Sequence, residues 1–367
     1  MAPIRVGFIG LSKSGWAPGA HLPYLTANKE YEIVAICNSS VQSSQEAIKL
    51  YSLPASTAAY SHPEEIANDP NVDLVVCSVR VDRHFPTIAP SLKAGKDVYV
   101  EWPLGKSAAE ARELLRLKNE GGVKKAVVGL QAGQSLAVQL VKKLIEEGRI
   151  GTVLNSTWVS AAINGGDTVS EPYEYLGQKE VGGNLVTIHF AHSLEAVQQV
   201  LGYGFEKHNS IIANRRPFVK LLNSEGKVVD EKHPKTADDT IFFSGIIKGS
   251  GVPFSFSLRG GTPFKNTPGL EWRIYGSKAE IRVTAPNPFL QIGLPDTKVE
   301  IHDFAKDTVE EVPFPKDEFE DFAVPARNVS RVYQKFAKGE IICSFEEAVQ
   351  RHEFIEELYK ENGYLHG

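Results

Sequence analysis

Apolar positions in the first third of the chain fall in short, nearly continuous runs. Residues 4–9, 31–37, 72–79, 97–100 and 126–130 each read as a strand. The third run, Val-Asp-Leu-Val-Val-Cys-Ser-Val, is almost wholly apolar, as a strand covered on both faces should be. Between the runs the period changes to that of a helix. Residues 45–51 form one such stretch. Residues 107–119 form another, with Ser107 and Glu110 spaced as a capping box and Ala111, Leu114 and Leu115 on one face. Pro18 and Pro23 interrupt the segment after the first strand, which predicts a loop and then a helix beginning near Pro23. Strands separated by helices predict parallel βαβ units.

Beyond residue 125 the texture changes. Residues 136–148 read as a helix, with Leu140, Val141, Leu144 and Ile145 on one side and Gly148 as its stop. Residues 153–160, 210–214, 240–248, 253–259, 271–275 and 280–283 then follow a period of two, separated by Gly, Pro, Asn and Asp. Phe254, Phe256 and Leu258 alternate with Ser255 and Ser257, the pattern of an antiparallel strand with one solvated face. Residues 189–202 and 344–362 read as helices. The pattern predicts an α/β chain in two domains. Residues 1–124 form a doubly wound parallel-sheet domain, and residues 125–367 an α+β domain with a large, mostly antiparallel sheet.

Composition narrows the class. The chain has 367 residues, 42% apolar and 23% charged, which suits two domains with sizeable cores. A net charge of −5 removes the electrostatic case for a nucleic-acid or anionic-membrane partner. No apolar run approaches the roughly 20 residues of a membrane span, and the N-terminus lacks a signal-peptide pattern, so a cytoplasmic protein is expected. Cys37, Cys77 and Cys343 are isolated and read as reduced thiols, not as a disulfide framework or zinc site.

The candidate chemistry begins where the first strand ends. Gly10, Ser12 and Gly15 match the dinucleotide fingerprint G-x-G-x-x-G, with Ser at the middle glycine. Such a turn lets backbone N–H groups approach a pyrophosphate. The second strand ends Cys37-Asn38-Ser39-Ser40, with no acid to bond a ribose 2′-hydroxyl and no Arg to clamp a 2′-phosphate. NAD or NADP is therefore expected, with a slight lean to NADP. The third strand runs out through Ser78, Val79 and His84, and the fourth through Glu101-Trp102-Pro103-Leu104, at the edge where open parallel sheets bind ligands. Gly182-Gly183 lead into a helix carrying His189 and His192, three apart and so on one helical face. Imidazole titrates near neutral pH, which suits a general acid. With no third ligand beside the two histidines, no metal is expected. Plain structural readings stand beside these: a turn at Asn38 and Ser39, a structural carboxylate at Glu101, and a core histidine at 189 or 192.

Together, the glycine turn, the 78–84 strand end, Glu101-Trp102-Pro103-Leu104 and the glycine pair leading to His192 resemble the Gfo/Idh/MocA oxidoreductase family over nearly the whole chain. Gly15-Trp16, His21 with Pro23, Leu185-Val-Thr with Phe190-Ala-His, Pro234-Lys-Thr and Gly260-Gly261 are most similar to its galactose-repressor-like fungal branch. The resemblance implies a Rossmann domain that binds NAD or NADP. It also implies a second domain that binds a sugar, polyol or related carbonyl compound on the open face of its sheet, a face that serves as the common dimer interface. The implied cofactor contacts are Gly10, Leu11, Ser12, Ser14, Gly15, Trp16, Asn38, Ser39, Ser78, Val79, His84, Glu101, Trp102, Pro103 and Gln131.

The family's catalytic pattern is Glu-Lys-Pro together with an Asp four residues before a His. Here Trp102 stands in place of the Lys and Ile188 in place of the Asp, so only His192 remains of that trio. An indole cannot donate a charged proton, although its ring can stack on nicotinamide or substrate. Two functions follow. In the first, the chain is an oxidoreductase moving a hydride between nicotinamide and a carbonyl or alcohol carbon of a small sugar-like or secondary-metabolite substrate. His192 is the proton donor or acceptor, His189, Trp102 and Tyr175 share the site, and Tyr173 and Lys265 are further helpers. In the second, the chain is a cofactor-sensing transcriptional regulator without catalysis, which binds a protein partner and works in the nucleus as well. Phe254, Phe256 and Trp272 are expected either on the dimer face or in the core.

Overall fold

The computed structural model describes residues 2–13 and 15–363. They divide into two compact units. The first holds the residues up to Gln131 together with Glu318–Glu353, and the second holds Ala132–Asp317 together with the residues from Phe354 onward. A division at residue 124 therefore misplaces two pieces, the strand Ala126–Val128 and the late segment Glu318–Glu353. The late segment joins the first unit for a plain reason: its helix Val324–Ala337 buries Val329, Val332, Tyr333 and Phe336 in that unit's core.

The first unit is a six-stranded sheet. Its strands are β1 (Ile4–Ile9), β2 (Tyr31–Cys37), β3 (Ala58–Tyr60), β4 (Leu74–Cys77), β5 (Asp97–Val100) and β6 (Ala126–Val128), ordered β3-β2-β1-β4-β5-β6. Every pairing is parallel. This is the doubly wound order whose crossover point lies between β1 and β4. Phe8 sits opposite Ile36 on one side and Val76 on the other, and all three are fully buried. After β1 come two short helices, Ala17–Ala20 and Leu22–Ala27, each with a proline in its first turn. Proline fits there because it has no N–H to leave unpaired, and the second proline divides what would otherwise be one helix. Ser107 caps the helix Ala108–Glu120 by accepting the Glu110 N–H at 3.3 Å. The Glu110 carboxylate takes the Lys106 N–H at 3.0 Å instead of that of Ser107, so the expected capping box is half formed.

The second unit is built on eight strands ordered β17-β16-β15-β14-β7-β13-β12-β9. These are β7 (Val153–Ala162), β9 (Phe205–Ala213), β12 (Thr240–Ile247), β13 (Pro253–Gly260), β14 (Leu270–Gly276), β15 (Ala279–Ala285), β16 (Lys298–Asp303) and β17 (Thr308–Glu311). The β7–β13 pair is parallel and the other pairings are antiparallel. A second sheet of β8 (Thr168–Ser170), β10 (Phe218–Leu222) and β11 (Val228–Pro234) has no counterpart in the sequence pattern. One face of the large sheet is an aromatic core. Trp158 stacks on Phe256 with centroids 5.7 Å apart and leans on Trp272 at 5.5 Å. The indole N–H of Trp158 reaches Ser160 Oγ, and that of Trp272 reaches Ser156 Oγ, each at 3.0 Å. Phe254, Phe256 and Trp272 therefore belong to the core and not to the open face. The open face instead shows Val159, Ile211 and Phe242, each at least half exposed.

Close approach of backbones explains the glycine pairs. A Cβ on Gly260 would lie 2.0 Å from the Gly165 carbonyl oxygen, so the end of β13 and the loop after β7 meet main chain to main chain. We expect Gly260→Ala to force these segments apart and to cost about 2 to 3 kcal/mol of stability, measured by urea unfolding.

Candidate functional site

The ligand edge of the first unit starts at Gly10, whose φ is +92°. A Cβ there would lie 2.4 Å from Ser78 O and 2.6 Å from a Val79 methyl, so only glycine lets the turn cross the end of β4. Ser12 N–H donates to Gly10 O at 3.0 Å, and the Tyr51 hydroxyl donates to Ser12 O at 2.7 Å. Gly15 has φ +117°, and around its Cβ direction only Ser12 Oγ comes within 4 Å, at 3.7 Å. Ser14 lies outside the described residues. The helix that follows is a single turn, so little dipole reaches this point, and within the turn the Gly10 N–H is already given to Cys37 O at 3.1 Å.

Two expected contacts turn out to be braces. Leu11 is fully buried in the core, and its carbonyl accepts from Asn38 Nδ2 at 2.9 Å. The same Asn38 amide reaches Ser43 O at 3.3 Å, so it ties the glycine turn to the end of β2. Ser39 is exposed beside it. Trp16 packs partly on the core, with its buried Nε1 unpartnered among the described residues.

At the ends of β4 and β5 a buried hydrogen-bond chain appears. The Tyr333 hydroxyl lies 2.7 Å from His21 Nδ1, and His21 Nε2 lies 2.7 Å from Glu101 Oε1. A carboxylate only accepts, so Nε2 carries the hydrogen and Nδ1 accepts the phenolic proton; this one arrangement satisfies all three groups. Tyr333 stacks against Tyr99 with centroids 5.2 Å apart, and Tyr31 donates to Tyr333 O at 2.7 Å. Burial raises the Tyr333 and Tyr99 phenols well above their usual range, so both stay protonated. Gly129 leaves room for the carboxylate, because a Cβ there would lie 2.8 Å from Glu101 Oε2.

His84 ties the neighbouring loops together. Its Nδ1 faces Pro103 O at 2.7 Å and its Nε2 faces Val79 O at 3.0 Å, with the ring 1% exposed. Burial pulls its pKa down while the two carbonyls oppose the shift. His84 is thus enclosed and positions Val79 and Pro103, where a direct cofactor contact was expected. Trp102 is also buried, its ring centroid 4.6 Å from that of His352. Burial pushes His352 down to about 3, helped by His84 and Arg351, so Trp102 rests on a neutral imidazole. Gln131 is 2% exposed, and its Oε1 has no partner among the described residues.

In the second unit the histidine helix begins earlier than residue 189. Leu185–Phe190 is a π-helical turn that runs into the helix Ala191–Leu201. Asn184 caps it, its Oδ1 accepting from Val186 N and Thr187 N at 2.9 and 3.1 Å. The three-residue spacing of the histidines therefore does not have the α-helical meaning assumed for it. His189 lines a cavity of about 220 Å³; His192 is buried and is not among the lining residues. The cavity lies among the loop after β7, the three-stranded sheet and the π-turn, not on the open sheet face. Tyr173 lines it, whereas Tyr175 and Lys265 do not.

The charges around this cavity are matched. Lys235 Nζ donates to Asn214 Oδ1 at 2.9 Å, Ala237 O at 2.6 Å and Asp239 Oδ2 at 3.2 Å, which uses all three protons. Burial lowers the Lys235 pKa and Asp239 opposes that shift. Asp238 pairs with Lys179 at 2.9 Å. His189 Nε2 lies 3.3 Å from Asn164 Nδ2, which places the ring hydrogen on Nδ1, and Nδ1 is unpartnered among the described residues. Burial pushes His189 down to about 4, so it is a neutral donor at pH 7. Lys235 and Asp238 were missed as site residues. The Pro234-Lys235-Thr236 run was visible, but nothing local showed that the strand end returns to this cavity.

Two outcomes follow. Tyr333→Phe removes the donor to His21 Nδ1 and leaves a buried acceptor unpaired, so thermal or urea unfolding should show a loss of about 1 to 3 kcal/mol. Unfolded His189 gains its proton near pH 6.5, while the folded form stays neutral down to about 4, so stability falls as pH drops through that window. In His189→Gln the slope of stability against pH should be shallower there, by up to about 1.4 kcal/mol per pH unit.

Similarity agrees with this geometry. Residues 4–130 match the GFO_IDH_MocA model, described as an oxidoreductase family with an NAD-binding Rossmann fold, and residues 137–285 match the Gal80p C-terminal domain. The galactose/lactose metabolism regulatory protein GAL80 of Kluyveromyces lactis is 33% identical over 303 residues, covering 79% of this chain and 65% of that protein. The chain thus spans just under two thirds of that relative's length. The dehydrogenase aclE of Aspergillus oryzae is 30% identical over 322 residues, 83% of each chain. The crystal structure of a super-repressor mutant of Gal80p from Saccharomyces cerevisiae superposes with a TM-score of 0.89 at 25% identity, covering 99% of this chain and 96% of that one. No helix among the described residues is long and apolar enough to cross a membrane. With a Rossmann sheet bearing a glycine turn, a large antiparallel sheet beyond it and these relatives, the chain belongs to the Gfo/Idh/MocA oxidoreductase family.

Proposed function

We propose that the chain is an NAD(P)-dependent oxidoreductase acting on a small, neutral, polyhydroxylated substrate held in the cavity of the second unit. The observation that supports this most is the largely apolar cavity lined by Asn164, Tyr173 and the neutral His189, whose lysine is already satisfied. An anionic substrate would find no spare cation on Lys235, whereas a neutral molecule with hydroxyl groups suits the few polar side chains that line the cavity.

The first unit fits a dinucleotide. The open side of Gly15 leaves room for a pyrophosphate at the glycine turn, and the orphaned Gln131 Oε1 would accept from a carboxamide. Asn38 leaves no carboxylate against a 2′-phosphate, so NADP is admitted as well as NAD. The nicotinamide supplies hydride chemistry when bound. His189, which lines the cavity, would lie against the substrate, and His192, which does not line it, would act on the proton only indirectly. A neutral donor stabilises a developing alkoxide less than the ammonium missing at Trp102 would, so slow turnover is expected. The half-exposed Val159, Ile211 and Phe242 suit the proposed homodimer face, and a cytoplasmic location is part of the same proposal.

A regulator without catalysis is the second reading. It is favoured by Trp102, enclosed on His352 where the family pattern has a lysine. On that reading the cofactor is a signal, a protein is the partner, and the nucleus is an equally suitable location.

NADH or NADPH is expected to quench Trp fluorescence, and Gly15→Val should weaken that binding at least about tenfold. Cofactor oxidation across a panel of neutral sugars, polyols and carbonyl compounds should then show turnover that drops in His189→Ala and in His192→Ala. Binding without turnover moves the function to the regulator, and no binding of either cofactor overturns both readings.

A further inference from the structure

We propose that His208, Glu357 and Glu361 form a divalent-metal site suited to zinc, which fastens the C-terminal helix to the edge strand of the large sheet. The site is independent of the proposed oxidoreductase chemistry. His208 lies on β9, the strand at one end of the eight-stranded order. Glu357 and Glu361 are one turn apart on the helix Phe345–Glu361 and so share a face.

The spacing is that of ligands. His208 Nε2 lies 3.3 Å from Glu361 Oε1 and 3.7 Å from Glu357 Oε1, and the three atoms all fall within 4.8 Å of one another. Ligands held at about 2.0–2.1 Å around a tetrahedral ion are themselves roughly 3.4 Å apart. A second observation points the same way. Nε2 is wholly buried, yet makes no well-formed hydrogen bond to either carboxylate among the described residues. The imidazole is aimed by its packing, with ring centroids 5.3 Å from Phe354, 5.9 Å from Phe243 and 6.5 Å from Phe205.

The two backbones are already held together. Asn362 Oδ1 accepts from Ile212 N at 2.9 Å, and its Nδ2 donates to Ser210 Oγ at 2.8 Å. The ligands are thus placed before an ion arrives, and the half-exposed carboxylates give it a path from solvent. One imidazole with two carboxylates favours zinc or a similar borderline ion over soft copper(I) or oxygen-seeking magnesium. Water would complete the coordination. A bound ion would neutralise the paired carboxylates and secure an edge strand that otherwise presents open backbone groups.

The plain alternative is a protonated His208 paired with two surface glutamates, an arrangement that needs no ion. Calorimetric titration of the chelator-treated full chain with zinc separates the two. We expect one saturable site and a rise in melting temperature that chelator reverses. His208→Gln and Glu361→Gln should each weaken binding at least about tenfold. Glu361 is exposed enough that its variant should melt normally in chelator, which keeps the comparison clean. Absence of saturable binding, or equal binding in both variants, overturns the proposal.

Discussion

The first unit depends on the hydrogen-bond chain from Tyr333 through His21 to Glu101. Its three members come from distant stretches: a late helix, the junction of two short helices after the glycine turn, and the end of β5. Tyr333 and His21 are wholly buried, so the bond between them is made where water does not compete, while Glu101 at the end of the chain is partly exposed. The chain closes the unit across a long gap in sequence and sets the Glu101 carboxylate over Gly129. His84 does comparable work beside it, joining the two loops that follow β4 and β5. Together they explain why residues that resemble cofactor contacts are partly structural. The edge is held rigid from behind by side chains that are spent on other parts of the protein.

The second unit solves a different problem. Its cavity is lined mostly by apolar groups, and each formal charge on its wall has a partner. Lys235 is spent on three acceptors, Asp238 is paired with Lys179, and His189 is kept neutral by burial. Matched charges in a small enclosed space favour neutral ligands with oxygen acceptors. In the first unit, where the family pattern has a lysine, an indole packs on an uncharged imidazole.

Much of the first unit was legible along the chain. The bounds of β1, β2 and β5 follow from largely apolar runs, in which Arg5, Glu32 and Asp97 are the only charged positions and lie near the starts of the strands. β3 escaped because Ala58–Tyr60 is too short to show a period. The three-stranded sheet escaped because its strands are largely exposed and their residues mixed. At the site, the glycine turn was legible because positive φ is a local demand that glycine meets. That the Leu11 side chain is buried was not legible, because spacing in a motif does not show which way a side chain points. His189 and His192 were read on α-helical geometry, which the π-turn replaces.

The sequence by itself determined the fold class, the two-part organisation, the glycine turn and the absence of the usual lysine. These rest on period, backbone conformation and residue chemistry, all properties of neighbours along the chain. Only the tertiary structure decided that Glu318–Glu353 completes the first unit, that Asn38 and His84 brace the edge, and that Lys235 joins His189 around one cavity. Those outcomes depend on which distant groups are brought within hydrogen-bonding reach once water is excluded. Burial then chooses between charged and neutral forms, and no local pattern encodes that choice.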